Sequence, residues 1–359
     1  MSPERTNPKE LPERFTFYRD VINVFEKNNI GYGIIGGFGQ YFYGSGREPT
    51  YDLDIAIEPN HVDNALNKLT KAHNWKIEYK HPDWLNQVWS SKNPSDYPAY
   101  SVDIVHRHST GLIEVKPWWI KRGTHGQLAE SNPNFAAPEA IALSKVLLWS
   151  RRSHDIVDAV QVAYRSAKAF RSFDWNLLLD ELHSDWRLGY SLAALTEMLY
   201  GKESINTLPK SIKDRLHSSF TENPIPGPVR GHIFAYDTHG EAGKIETWKN
   251  ATNPIMVSSE SSTQSVLNDL YVWHENHAAM IDASRKIVGQ GRNFDWDKLI
   301  VDVGDNWRLA LCLMLYTEVL YGETGSNIIP QKVRKDLSGR FLNSSPDKEL
   351  GTKLFPYRF

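Results

Sequence analysis

The sequence contains very little cysteine: Cys312 is the only one among 359 residues. A single cysteine cannot form an internal disulfide, and it excludes a zinc site built from several cysteines. Its neighbours in 311–315 are all apolar, which predicts a buried thiol. We therefore expect a fold without disulfides and no disulfide-linked partner.

Long apolar runs and an excess of one charge are also missing. No stretch approaches the roughly 18 apolar residues of a membrane span, and the first ten residues are polar and charged, unlike a secretory signal. We therefore expect no membrane partner and a cytoplasmic protein. A net charge of −2 gives no overall basic field for non-specific nucleic-acid binding. The 40% hydrophobic content is enough for two or three packed units.

Acidic and apolar residues alternate along 51–57. In a strand this pattern places Asp52 and Asp54 on one face and turns Leu53 and Ile55 into the core. A second apolar segment, 100–105, carries Asp103 in the same rhythm and could lie beside the first. The three carboxylates would then converge, which is enough to hold two Mg²⁺ ions about 3.5–4 Å apart for attack on a phosphorus.

A glycine pair, Gly36 and Gly37, lies between an apolar segment at 32–35 and a predicted helix at 38–43. Glycines at such a junction let backbone N–H groups approach a phosphate. A tight turn without a ligand would use the same pair, and exposed strands often carry acids. The joint occurrence of the glycine pair, the paired aspartates and the third aspartate is what favours a nucleotide site.

This joint pattern resembles the nucleotidyltransferase superfamily to which DNA polymerase β belongs. The resemblance implies that Gly36 and Gly37 contact the nucleotide phosphates. It further implies that Asp52 and Asp54 bind both metal ions, and that Asp103 binds the catalytic ion and acts as, or beside, the base.

Two more segments resemble the small bacterial members of that superfamily, which include abortive-infection toxins and some antibiotic-modifying enzymes. Arg47 and Thr50 lie just ahead of the first aspartate, at a spacing one residue longer than the usual form, and are assigned to nucleotide binding. A helical lysine followed by an Asp-x-x-Asp that begins the next helix matches Lys145, Asp155 and Asp158. By the resemblance, Lys145 reaches the β- and γ-phosphates; a solvated lysine on an amphipathic helix is the alternative. Asp155 and Asp158 are expected to orient basic side chains rather than bind metal.

The chain also contains an internal repeat. Residues 173–220 align with 294–341 without a gap at an offset of 121 positions, and 17 of the 48 aligned residues are identical. Upstream the offset becomes 124, which places Asp269 where the first copy has Lys145. The repeated Arg187 and Arg308 could bind phosphate or a base, but a buried arginine paired with a repeated glutamate is favoured. The second copy lacks the glycine pair and the paired acids, so we do not expect it to hold a nucleotide.

These observations predict an α+β protein. Residues 1–132 form a mixed-sheet nucleotidyltransferase domain, 133–220 a first helical module that completes the nucleotide cleft, 221–262 a connecting segment, and 263–359 a second helical module with a C-terminal tail. The expected reaction moves a nucleoside monophosphate from Mg²⁺-bound NTP to an acceptor hydroxyl and releases pyrophosphate. The acceptor stays open among an RNA 3′ end, a small-molecule antibiotic and a protein hydroxyl. The alternative is a non-catalytic scaffold whose duplicated helices bind a protein or RNA partner.

Overall fold

A computed structural model describes the following parts of the chain: 11–45, 52–73, 75–81, 83–91, 99–109, 113–148, 153–169, 173–222, 262–273 and 279–344, with residues 256 and 276. The chain divides into two compact units, Met1–Ile141 and Ala142–Phe359. The expected connecting segment, 221–262, lies outside the described residues except at 221, 222, 256 and 262.

The first unit is built on a mixed sheet, which contains seven strands among the described residues. The strands are β1 (Gly33–Ile34), β2 (Leu53–Ala56), β3 (Lys76–His81), β4 (Leu85–Trp89), β5 (Ser101–Val105), β6 (Thr124–His125) and β7 (Asn134–Phe135). Their order is β3-β4-β5-β2-β1-β7-β6. Two neighbouring pairs, β2 with β5 and β1 with β7, are parallel, and the other pairs are antiparallel. The predicted mixed sheet is thereby confirmed.

Four helices accompany this sheet in the described part of the first unit: α1 (Leu11–Lys27), α2 (Gly36–Phe42), α3 (Val62–Ala72) and α4 (Pro117–Lys121). A fifth, α5 (Pro138–Leu147), contains the boundary between the units. Helix α3 shows why these segments are helical, because Val62, Ala65, Leu66 and Leu69 recur at helical spacing and are all buried. In β2 the burial instead follows the strand period at Leu53, Asp54 and Ile55: the two apolar residues are fully buried and the aspartate between them is half-buried.

The described elements of the second unit are helical. They are α6 (Ser153–Ala169), α7 (Trp175–Leu182), α8 (Trp186–Tyr200), α9 (Lys210–Glu222), α10 (Ser262–Tyr271), α11 (Ala279–Gln290), α12 (Trp296–Val303), α13 (Trp307–Tyr321), α14 (Glu323–Ile328) and α15 (Gln331–Asn343), with short 3-10 turns between some of them. No helix in the described part of the chain is long and apolar enough to cross a membrane.

Helices of the second unit begin and end at the spacing of the sequence repeat. Helices α7, α8 and α9 have 8, 15 and 13 residues, as do α12, α13 and α15, each beginning 121 positions later. Asp174 and Asp295 cap the first helix of each set: each side chain accepts a hydrogen bond from the backbone N–H three residues later, at 3.1 and 2.9 Å. Gly201 and Gly322 end the second helix with φ of 49° and 55°.

Two buried ion pairs join α8 and α13 reciprocally. Arg187 Nε of α8 lies 2.5 Å from Glu318 Oε2 of α13, and Arg308 Nη2 of α13 lies 3.0 Å from Glu197 Oε2 of α8. All four residues are at most 5% exposed. The expectation of a buried arginine paired with a repeated glutamate is confirmed, with each pair formed between the repeats. Cys312, on α13, is fully buried as predicted.

Candidate metal centre

The three predicted aspartates come together because β2 and β5 are parallel neighbours. Asp54 of β2 and Asp103 of β5 are Cα partners in the register, and Asp52 immediately precedes β2. Each of the three half-buried carboxylates offers one oxygen, and these oxygens lie within 4.8 Å of one another. No other group of three metal-ligating side chains converges in this way within the described part of the chain. The sequence pattern therefore located a cluster that depends on a non-local strand pairing.

Electrostatics in this cluster disfavour ionisation of Asp103. Burial, the larger influence, raises the pKa of Asp103 to about 6, and the negative charge of Asp52 acts in the same direction. A hydrogen bond from Gln87 and the positive charge of Lys80 act against this rise. Without a cation the cluster therefore carries an acid that is partly protonated near neutral pH.

Gln87 and Lys80 were missed by the sequence reasoning. Gln87 of β4 faces Asp103 across the antiparallel β4–β5 pair, and its Nε2 donates to Asp103 Oδ1 at 2.6 Å. Lys80 of β3 in turn donates from Nζ to Gln87 Oε1 at 3.3 Å. A polar residue in the apolar strand 85–89 was the available signal, but its register against Asp103 cannot be read from the sequence.

Helix α1 contributes two further residues that the sequence did not single out. Tyr18 is fully buried, and its pKa is raised first by burial and then by the charges of Asp52, Asp54 and Asp103. Arg14, one helical turn earlier, acts in the opposite direction on the same hydroxyl. Tyr18 therefore belongs to the electrostatic surroundings of the aspartates, and Arg14 acts on Tyr18. Their i, i+4 spacing on an amphipathic helix was compatible with an ordinary core face.

The glycine turn packs against the centre through Gly36. Helix α2 begins at Gly36, two residues earlier than predicted, directly after β1 and Ile35. Gly36 has φ of +59°, where side chains are strained, and a Cβ added there would lie 1.8 Å from Asp54 Oδ2. The backbone N–H of Ile35 donates to Asp54 O at 2.9 Å, which fixes the turn beside β2. Glycine is therefore required at position 36 by two independent constraints.

Of the other residues expected to contact the nucleotide, the structure describes Gly37 but not Arg47 or Thr50. Gly37 is buried in the first turn of α2. Arg47 and Thr50 lie outside the described residues. Their assigned roles stay predictions based on the family resemblance.

Lys145, in the second unit, is buried in a cluster of opposite charges. Its Nζ lies 2.6 Å from Asp155 Oδ1 and 3.8 Å from Asp158 Oδ2, and it is only 6% exposed. The alternative of a solvated lysine is therefore wrong, because the neighbouring helix α6 supplies two carboxylates that hold the ammonium group inside. The expectation that Asp155 and Asp158 orient a basic side chain is confirmed. A phosphate contact by Lys145 stays a prediction.

The donor set of the aspartate cluster fits a hard divalent cation. Carboxylate oxygens are the ligands preferred by Mg²⁺, which is commonly held by one or two carboxylates together with water and phosphate oxygens. A cation would also relieve the repulsion that Asp52 exerts on Asp103. Asp52, Asp54 and Asp103 are thus the residues that could hold metal. At Gly36, in the neighbouring turn, there is no space for a side chain.

Comparison with known protein families finds no matching family model, and a search of curated proteins finds no match to this chain. What the centre can do therefore follows from its own residues and their geometry.

Proposed function

We propose that this protein is a nucleotidyltransferase, which moves a nucleoside monophosphate from an NTP to an acceptor hydroxyl and releases pyrophosphate. The convergence of Asp52, Asp54 and Asp103 on two adjacent parallel strands, with oxygens within 4.8 Å, carries this proposal. The closeness of the glycine turn to Asp54 supports it, because the same arrangement of turn and acids suggested the family resemblance. The proposal also assigns the protein to the cytoplasm, because Mg²⁺ and NTPs are supplied in that compartment.

The aspartates have distinct roles in this proposal. Asp52 and Asp54 would hold two Mg²⁺ ions and Asp103 one of them, and the bound ions would supply Lewis-acid stabilisation of the charge that develops on the phosphoryl oxygens. From the family resemblance, Asp103 is also assigned to act as, or beside, the base that accepts the proton of the acceptor hydroxyl. The protein itself would contribute mainly positioning and fixed charge.

The nucleotide contacts are assigned from the resemblance. Gly36 and Gly37 would present backbone N–H groups to the phosphates, and Arg47 and Thr50 would contact the same nucleotide. Lys145 would have to exchange a carboxylate partner for a phosphate oxygen, because its ammonium group already contacts Asp155. A phosphate contact by Lys145 therefore requires that the bond between Lys145 and Asp155 be broken or shared.

We further propose that 173–220 and 294–341 are two copies of one helical module. Matching helix lengths, caps and reciprocal ion pairs support this proposal. In the second copy Asp269, which stands in place of Lys145, pairs with Lys286 at 2.7 Å. A carboxylate at this position would repel a triphosphate. The second copy is therefore assigned a structural or acceptor-binding role without a nucleotide.

The reaction is tested by comparing two labels in the same NTP. An NTP labelled at the α-phosphorus should transfer label to an acceptor, whereas one labelled at the γ-phosphorus should release all of it as pyrophosphate. Hydrolysis or phosphoryl transfer would give other products. Asp54→Asn should abolish transfer, whereas Asp63→Asn, an exposed acid on α3, should leave transfer unchanged. Transfer by Asp54→Asn at the rate of the unmodified protein would contradict the proposal.

The acceptor is identified by the fate of the α-label in a cell extract. Label removed by ribonuclease indicates an RNA 3′ end, label removed by a protease indicates a protein hydroxyl, and label of low mass resistant to both indicates a small molecule. The non-catalytic scaffold predicts a different result. It predicts no transfer and no stabilisation by Mg²⁺ with any NTP, whereas a binder is stabilised by about 2.7 kcal/mol at a ligand concentration 100 times Kd.

A further inference from the structure

We infer that Gln87 is a positioning residue of the aspartate centre, which fixes the carboxylate of Asp103 for metal binding while Lys80 fixes the amide of Gln87. This inference rests on the proposed function, because it assumes that the aspartates hold divalent cations. It adds two residues that neither the sequence pattern nor the family resemblance assigns to the centre.

The contact geometry restrains Asp103 from one side. Gln87 Nε2 donates to Asp103 Oδ1 at 2.6 Å, and the two residues are also backbone partners across β4 and β5. Gln87 is only 7% exposed, so little water can replace this bond. With Oδ1 engaged, rotation of the carboxylate is restricted and Oδ2 keeps a defined direction. Pre-orientation of this kind lowers the cost of ordering a ligand when a metal binds.

Lys80 determines which end of the amide meets Asp103. An ammonium group can only donate, so the atom of Gln87 that it contacts at 3.3 Å must be the carbonyl oxygen. The amide N–H₂ is then directed to the carboxylate. The reversed amide would place its carbonyl oxygen against Asp103 and its N–H₂ against the ammonium group, and both contacts would be repulsive. The positive charge of Lys80 on β3 therefore orients the Gln87 amide so that it donates a hydrogen bond to Asp103 on β5.

A second hydrogen bond on the same strand pair provides a matched control. Trp89 Nε1 of β4 donates to Glu78 Oε2 of β3 at 3.1 Å. Trp89 and Gln87 lie two residues apart on the same face of β4. Each forms a hydrogen bond with a β3 residue two positions beyond its Cα partner: Trp89 with Glu78, and Gln87 with Lys80. Loss of the Trp89 bond therefore perturbs the β3–β4 pair in a similar way without removing a contact to Asp103.

The test is a titration of the metal-free full-length protein with Mn²⁺, followed by electron paramagnetic resonance of free and bound Mn²⁺. Gln87→Met keeps the side-chain length but removes the N–H donor, and Gln87→Asn keeps the amide but is too short to reach. Outer-shell substitutions typically weaken metal binding about 10- to 100-fold, which is the loss expected in both variants. The Trp89→Phe variant should bind Mn²⁺ like the unmodified protein.

The outcomes separate this inference from the proposed function. No binding of Mn²⁺ by the unmodified protein would refute the metal centre, and the inference with it. Normal binding by folded Gln87→Met or Gln87→Asn, while the unmodified protein binds, would overturn the inference alone. An equal loss in Trp89→Phe would also overturn it, because the effect would then be a general loosening of the sheet. Thermal unfolding of each metal-free variant shows whether it is folded, and the shorter amide variant keeps the test decisive if Gln87→Met unfolds.

Discussion

Replacement of Asp103 by asparagine should stabilise the metal-free protein at neutral pH. The folded-state pKa of Asp103 is about 6, against 3.8 for the ordinary side chain. Below pH 3.8 the carboxyl is protonated in both states. Between the two pKa values the unfolded chain loses the proton while the folded protein keeps it, so the free energy of unfolding falls as the pH rises.

The size of this effect follows from the pKa difference. One pKa unit corresponds to about 1.4 kcal/mol, so a rise of about two units corresponds to about 3 kcal/mol once the pH exceeds 6. Asparagine carries no charge at any of these pH values, and its side-chain oxygen can still accept from Gln87. About 1 kcal/mol of this effect is already present at pH 4.5, so the Asp103→Asn variant should gain about 2 kcal/mol relative to the unmodified protein between pH 4.5 and 7.5.

The assay is urea unfolding followed by tryptophan fluorescence, in the presence of EDTA, at pH 4.5 and at pH 7.5. Asp63→Asn serves as the control, because this exposed acid lies on α3 outside the cluster. Excess Mg²⁺ should then reverse the order at pH 7.5, since only the unmodified protein keeps all three ligands. A stability difference that is equal at both pH values, or larger at pH 4.5, would show that the pKa of Asp103 is not raised in the folded protein.

Three further predictions concern the glycine turn and the buried charges of the second unit. Gly36→Ala should destabilise the protein by about 1–3 kcal/mol in urea unfolding and weaken Mn²⁺ binding. Gly339→Ala, whose added methyl group meets open space on a helix, should instead stabilise the protein by up to about 1 kcal/mol. Equal effects of the two substitutions would contradict a steric clash at Gly36. Lys145→Met should destabilise by about 3–5 kcal/mol, because two buried carboxylates lose their cation, and a thermal scan matching the unmodified protein would refute this. Glu318→Gln should be similarly destabilising, because it leaves the buried Arg187 and Arg334 without their shared carboxylate. Arg187→Met should destabilise less, since Glu318 keeps Arg334 as a partner. The reverse order of stability in urea unfolding would contradict this ranking.

The aspartate cluster was predictable because its signal is local and periodic. The alternation in 51–57 and in 100–105 assigns each aspartate to a face of a strand, and burial of Leu53 and Ile55 then fixes which face points away from the core. The structure confirms that the two strands lie side by side; their parallel direction was not predicted. The start of α2 at Gly36 was less predictable, since glycine has poor helix propensity and tertiary packing determines the first turn.

The surroundings of the cluster could not be predicted, because they depend on contacts between distant segments. Gln87 contacts Asp103 only through the register of β4 against β5, and Tyr18 comes under the influence of the aspartate charges only through the position of α1. A similar limit applies to Lys145, whose helical position suggested solvent or phosphate. The sequence could not show that α6 places Asp155 at 2.6 Å from its ammonium group.

Binding of metal and nucleotide at the aspartate cluster can be observed in crystals of the full-length protein grown with Mn²⁺ and an NTP analogue that cannot be cleaved between the α- and β-phosphates. A two-metal centre would give two peaks of anomalous difference density contacting Asp52, Asp54 and Asp103, about 3.5–4 Å apart, with the phosphates beside Gly36. Density for the nucleotide without metal at these carboxylates, or Mn²⁺ bound elsewhere on the chain, would contradict it.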